Sequence, residues 1–196
     1  MGRAAEATVA GADTFPKLLI ANAGIRGARP AMREKAFGIW QTWTWAEVLH
    51  IVRAYAIGLQ AKGLKAGETV AVIGQNRPRL YWTFAAAQSL RAVPVPVYAD
   101  SVAEEMAYVL DHAEVTVAVC EDQEQVDKVL SISDRLPKLR TIVYDEERGM
   151  RDYEHEHLFS FAELAAEGRK ILDGHPGAAE LWREELDAGK GEDTAV

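Results

Sequence analysis

Gly67-Glu-Thr-Val-Ala-Val-Ile-Gly-Gln-Asn-Arg-Pro78 is the stretch on which the fold turns. From Thr69 to Ile73 it is a mostly β-branched, uninterrupted run, which suits a strand buried on both faces of a parallel sheet. Gly74 ends the run. Pro78 then predicts a helix start, because a missing N–H costs nothing in a first turn.

Downstream the same alternation repeats. Leu80, Trp82, Phe84, Ala87 and Leu90 continue the helix, and Val93-Pro-Val-Pro-Val-Tyr98 reads as a second strand. Pro94 and Pro96 lack N–H donors on the same strand edge, so that edge cannot carry a regular ladder. Ser101 and Glu104 have the spacing of a capping box, which predicts a helix through Met106, Val109, Leu110 and Ala113. Val115 to Cys120 is a third strand, a helix through Val126, Val129, Leu130 and Ile132 stops before Pro137, and Thr141 to Tyr144 is a fourth strand.

Upstream, Thr44 and Glu47 form another capping box. Val48, Val52, Tyr55 and Leu59 then recur on one helical face, and Gly63 supplies a left-handed stop. Gly38-Ile-Trp-Gln-Thr-Trp-Thr-Trp45 is a strand or hairpin arm, preceded by a loop at Gly24, Gly27 and Pro30 and a short helix from Phe15 with Pro16 in its first turn. Beyond Asp145 a third capping box, Ser160 and Glu163, introduces two polar helices, through Ile171 and from Ala178 to Leu186. The expected fold is α/β: a parallel Rossmann-like sheet flanked by helices, with an aromatic-rich β segment near the N-terminus and a helical C-terminal connector. The expected division is a disordered start over 1–14, an α/β unit over 15–145 and an acidic connector over 146–196.

The chain has 196 residues, 22 Lys and Arg, 30 Asp and Glu, and a formal charge of −8. Through Tyr144 the balance is +1, and from Asp145 onward it is −9. No clustered positive field exists to hold a phosphate backbone, so nucleic acid is not an expected partner. The single cysteine, Cys120, cannot form an intrachain disulfide, and no apolar run approaches a membrane span. The expected compartment is therefore the cytoplasm, with no secretory leader expected at the start.

Specific chemistry is sparse. Neither Gly-x-Gly-x-x-Gly nor the P-loop pattern occurs, so Gly74-Gln-Asn reads as a turn and a dinucleotide-binding domain is improbable. His155 and His157 could clip a metal from one side of an extended segment, but no further ligand stands at a standard spacing. His50, His112 and His175 are isolated. Cys120 reads as an inert core thiol. Trp40, Trp43 and Trp45 read as packing residues rather than a stacking surface, and Glu121-Asp-Gln-Glu as the acidic first turn of a helix.

Four blocks nevertheless carry a specific resemblance: Gly38-Ile-Trp-Gln-Thr-Trp-Thr-Trp-Ala-Glu, Gly67 to Pro78, Val93 to Tyr98, and Asp100-Ser-Val-Ala-Glu-Glu-Met-Ala-Tyr-Val-Leu-Asp-His-Ala-Glu. In order and spacing they resemble the N-terminal region of bacterial long-chain fatty acid–CoA ligases, of the adenylate-forming superfamily. The resemblance implies ATP-dependent activation of a fatty acid through an acyl-adenylate, with magnesium, followed by attack of the coenzyme A thiol. It also implies that the chain stops at Val196, just before the family's phosphate loop, so that the adenylation residues are missing. Such a chain is expected to be inactive alone and to bind none of these cofactors tightly. The turn Tyr98-Ala-Asp100-Ser101 would lie near the pantetheine arm of coenzyme A, and Cys120 to Lys128 near its nucleotide end. A homodimer and peripheral membrane association of the parent are further expectations. A stand-alone α/β binding or interaction module derived from the ligase fold is the alternative.

Overall fold

The computed structural model describes residues 11–196; most of the expected disordered start lies outside the described residues. Thr14 accepts from the Lys17 N–H and opens α1 (Phe15–Arg26). The helix runs through Gly24, where a loop was expected, and ends beside Gly27. A hairpin follows, β1 (Pro30–Ala36) antiparallel to β2 (Ile39–Thr44). Its two-residue turn, Phe37 and Gly38, has both φ angles positive, at 48° and 82°, which matches the right-handed twist of the strands.

α2 (Trp45–Ala61) begins at the expected capping box. The Thr44 hydroxyl accepts from the Glu47 N–H, while the Glu47 carboxylate accepts from the Thr44 N–H at 2.7 Å. The Thr44 N–H and the Thr44 hydroxyl both donate to the Glu47 carboxylate and hold it below its ordinary range. Gly63, at φ 89°, ends the helix turn. There follow β3 (Thr69–Ile73), α3 (Pro78–Ser89), β4 (Val93–Val97), α4 (Ala103–His112), β5 (Val117–Cys120), α5 (Gln123–Ser131) and β6 (Thr141–Tyr144).

The second expected box is not formed. Val102, which has no side-chain acceptor, is the N-cap of α4, so Glu104 falls at the second helical position instead of the third and pairs with Arg135 instead. The acidic segment also holds more than helices. β7 (Leu158–Ser160) pairs in parallel with β6 and makes a fifth strand, and α6 (Phe161–Gly174) and α7 (Ala178–Ala188) follow.

The sheet order is β4-β3-β5-β6-β7, all parallel. Alternation divides its inner strands between two cores. Val70, Val72, Val117, Val119 and Val143 face the helices α2, α3 and α6. Ala71, Ile73, Ala118, Cys120 and Ile142 face α4 and α5. Both faces are therefore dry, as the β-branched runs require. β4 is an edge strand: the Val93 N–H donates to Glu68 O at 2.8 Å, so the alternate positions, Pro94 and Pro96, turn their donorless nitrogens away from the sheet.

The tightest packing joins α2 to α6. A Cβ on Gly168 would fall 2.8 Å from the Ala54 carbonyl carbon, and one on Gly58 2.7 Å from that of Leu164. Glycine lets the two backbones touch here. Tyr55 stacks on Phe161 at 4.0 Å between ring centroids, closing the end of the seam.

Candidate functional site at the carboxyl edge of the sheet

Open parallel sheets take ligands beyond their carboxyl ends, where the strand order reverses. Here that point lies between β3 and β5, since the chain leaves β3 for β4 on one side and returns to β5 on the other. β3 leads into Gly74 and β5 into Glu121. The Glu121 side chain is 7% exposed and fills the crevice. Its carboxylate accepts from the Gln75 N–H at 2.5 Å and pairs with Arg77 at 2.7 Å. A side chain on Gly74, whose φ is 155°, would collide with Glu121 Cβ at 2.6 Å.

The crevice therefore holds the protein's own anion. The backbone N–H that a phosphate would use is satisfied internally. The acidic run from Glu121 predicts a helical first turn, but Glu121 precedes that helix, and Asp122 is the cap, accepting from the Gln125 N–H.

A second pair stands beside it. The Arg79 guanidinium donates to the Asp145 carboxylate and, at 3.1 Å, to its backbone oxygen, and lies over the Phe161 ring at 5.4 Å. Burial pushes the Asp145 carboxyl above its ordinary value, with Arg79 opposing. Arg77, Arg79 and the loop from Asp145 to Arg148 face Glu34 and Phe37 of the hairpin across a polar cleft of about 690 Å³. The signal for this cluster was present in the sequence as two arginines astride Pro78, directly after a buried strand. Their acidic partners, 44 and 66 residues away, could be found only by folding the chain.

Tyr98, Asp100 and Ser101 share one loop at the end of β4, outside this cleft. Tyr98 is 86% exposed and the Ser101 N–H donates to Tyr98 O at 3.1 Å. Lys128 anchors the loop by donating to Ala99 O at 2.8 Å. The loop thus touches the last turn of α5.

The His157 N–H donates to His155 Nδ1 at 3.3 Å, and among the described residues no group of three or more His, Cys, Asp or Glu is placed to hold a metal. Magnesium would need free carboxylate oxygens. Glu121 and Asp145 are each committed to an arginine, so they do not fit it. Cys120 is fully buried, and burial pushes its thiol up. The tryptophans divide: Trp43 packs edge-on to Trp82 at 5.2 Å, Trp45 is half-buried, and Trp40 is exposed beneath the Arg33 guanidinium. Trp40 departs from the packing role expected of it.

Comparison with known proteins agrees with this frame. The family model described as AMP-binding enzyme matches residues 21–185. The long-chain-fatty-acid–CoA ligase FadD15 of Mycobacterium bovis is 32% identical over 106 residues, which is 54% of this chain and 18% of that protein. The uncharacterized protein Rv1549 of Mycobacterium tuberculosis is 38% identical over 89 residues, 45% of this chain and 50% of that protein. The chain thus spans under a fifth of the ligase and half of the shorter relative. Among solved structures, acetoacetyl-CoA synthetase from Streptomyces lividans superposes with a TM-score of 0.68 at 21% identity, over 77% of this chain and 24% of that one.

Proposed function

The chain belongs to the AMP-binding enzyme family, and from that premise we propose that it is the N-terminal α/β part of a long-chain fatty acid–CoA ligase. In that reading the α/β unit of the parent does not stop at 145 as expected but includes β7, α6 and α7, because β7 pairs with β6 and Phe161, Leu164, Trp182 and Leu186 lie in its core. The residues after Ala188 would lead toward the catalytic core. The parent would join a fatty acid carboxylate to the α-phosphate of ATP, with magnesium, and then pass the acyl group to the coenzyme A thiol. The cytoplasm would be its compartment, with a homodimer and a place at the membrane periphery. Among the described residues no helix is long and apolar enough to cross a membrane.

The observation that carries the reading is Glu121. In a chain of the AMP-binding family, the crevice where such a sheet would take phosphate is filled by an internal carboxylate. Adenylate chemistry therefore belongs to another part of the enzyme, and this part supplies a rigid wall. Tyr98, Asp100 and Ser101 would lie along the pantetheine arm of coenzyme A, with Lys128 fixing their loop through Ala99. Positioning of this kind is what such a wall can add to a reaction it does not itself perform. ATP–pyrophosphate exchange with palmitate should give no signal from the 196-residue chain; exchange above the no-enzyme rate would overturn the reading.

One observation favours the second reading, a stand-alone binding module. Half of Rv1549 is matched by this chain, against 18% of FadD15. A stop codon directly after Val196 in the gene would support the module. Continuation into a Ser/Thr- and Gly-rich phosphate loop would support the ligase.

A further inference from the structure

The β1–β2 hairpin lies outside the five-stranded sheet. Its base is anchored, since Met32 and Trp43 pack into the core and the Trp82 indole N–H points to Met32 sulfur at 3.2 Å. Its tip is apolar and bare: Phe37 is 93% exposed, Ile39 65% and Trp40 57%. Strand alternation puts Arg33 and Lys35 on the same outer face as Trp40, with Lys35 directly opposite it and the Arg33 guanidinium 4.8 Å over its ring. Glu34, the only acid between Pro30 and Thr44, lies on the other face.

Phe37 also sits where a phenylalanine is unfavourable. At φ 48° the turn prefers asparagine, aspartate or glycine. A strained, fully exposed aromatic is a feature that folding alone does not explain.

We propose that this tip docks on an anionic lipid surface, with Phe37 and Trp40 entering the headgroup region and Arg33 and Lys35 meeting lipid phosphates. Aromatic rings favour that interface, and basic side chains beside them add attraction to anionic headgroups. A second copy of the chain is a poorer occupant, because a convex two-residue turn cannot supply the roughly 800 Å² per partner of a stable interface. The inference deepens the peripheral-membrane part of the function proposed above and rests on it only there. Vesicle binding needs no acyl activation, so the two can fail separately.

The test is co-sedimentation of the full chain with vesicles of phosphatidylcholine alone and of phosphatidylcholine mixed with phosphatidylglycerol. The protein should sediment with the anionic vesicles, and brominated lipid should quench its tryptophan emission, less so in Trp40→Phe. Arg33→Ser and Lys35→Ser should each weaken binding about fivefold. Phe37→Asn should raise the melting temperature, by suiting the turn, yet lower binding at least about tenfold. Tyr108→Ala, which removes an exposed aromatic on α4, should leave binding unchanged. The proposal falls if anionic vesicles are not bound, if neutral ones bind equally, if Phe37→Asn binds undiminished, or if the wild type is a dimer that Phe37→Asn splits.

Discussion

The seam between α2 and α6 and the carboxyl edge of the sheet both join residues far apart in sequence, but by opposite means. At the seam, backbone meets backbone through Gly58 and Gly168, with Tyr55 and Phe161 stacked at one end. At the edge, long charged side chains meet: Arg77 with Glu121 and Arg79 with Asp145. The seam has no room to relax. The edge can move its side chains and admit water, so its changes are absorbed at smaller cost.

The largest test of that contrast is Gly168→Val. Its new atoms would meet the Ala54 carbonyl, a backbone group that cannot rotate away. Overpacking of this kind should cost about 3 kcal/mol or more, a large share of a domain's stability. Urea denaturation would measure it, and a loss under about 1 kcal/mol would show that the seam gives way after all.

Arg79→Met comes next and carries a pH signature. It leaves the buried Asp145 carboxylate without its cation, but Arg79 is itself partly exposed, so the expected loss at neutral pH is about 1–2 kcal/mol. The folded pKa of Asp145 lies above its ordinary 3.8, because burial outweighs the arginine. Stability linked to this group is therefore full below 3.8 and is lost as pH rises through the folded value. Removing Arg79 raises that value further, so the deficit should shrink on acidification toward the ordinary aspartate range. A denaturation series across that interval would show a constant deficit if the pair were merely decorative.

The smallest effect belongs to Tyr98→Ala. The side chain is 86% exposed, and the change should stay within about 0.5 kcal/mol by thermal melting. A larger loss would mean that the β4–α4 loop supports the sheet edge as well as presenting a surface.

Much of the fold was legible locally. β3, β5 and β6 announced themselves as β-branched runs, since a strand dry on both faces must be apolar at every position. Two of three capping boxes formed as spaced. The one at Ser101 failed because the helix is capped one residue later, at Val102, which leaves Glu104 off the capping position and free to pair with Arg135. β7 escaped notice because three residues, Leu158 to Ser160, have no periodicity to read and become a strand only beside β6. The prolines of β4 marked one sheet edge in advance; nothing in Leu-Phe-Ser marked the other.

The candidate site was less legible, for the same physical reason. A resemblance could name Tyr98, Asp100 and Ser101, and the structure places them together on one exposed loop. It could not reveal that Glu121 fills the switch point.

By itself the sequence determined the α/β class, the helix starts and the buried strands, because each follows from hydrogen bonding and burial within a few residues. Only the tertiary structure decided the fifth strand, the glycine seam and the arginine–carboxylate pairs at the carboxyl edge. Those depend on which distant groups arrive at contact distance, and neither spacing nor composition encodes that meeting.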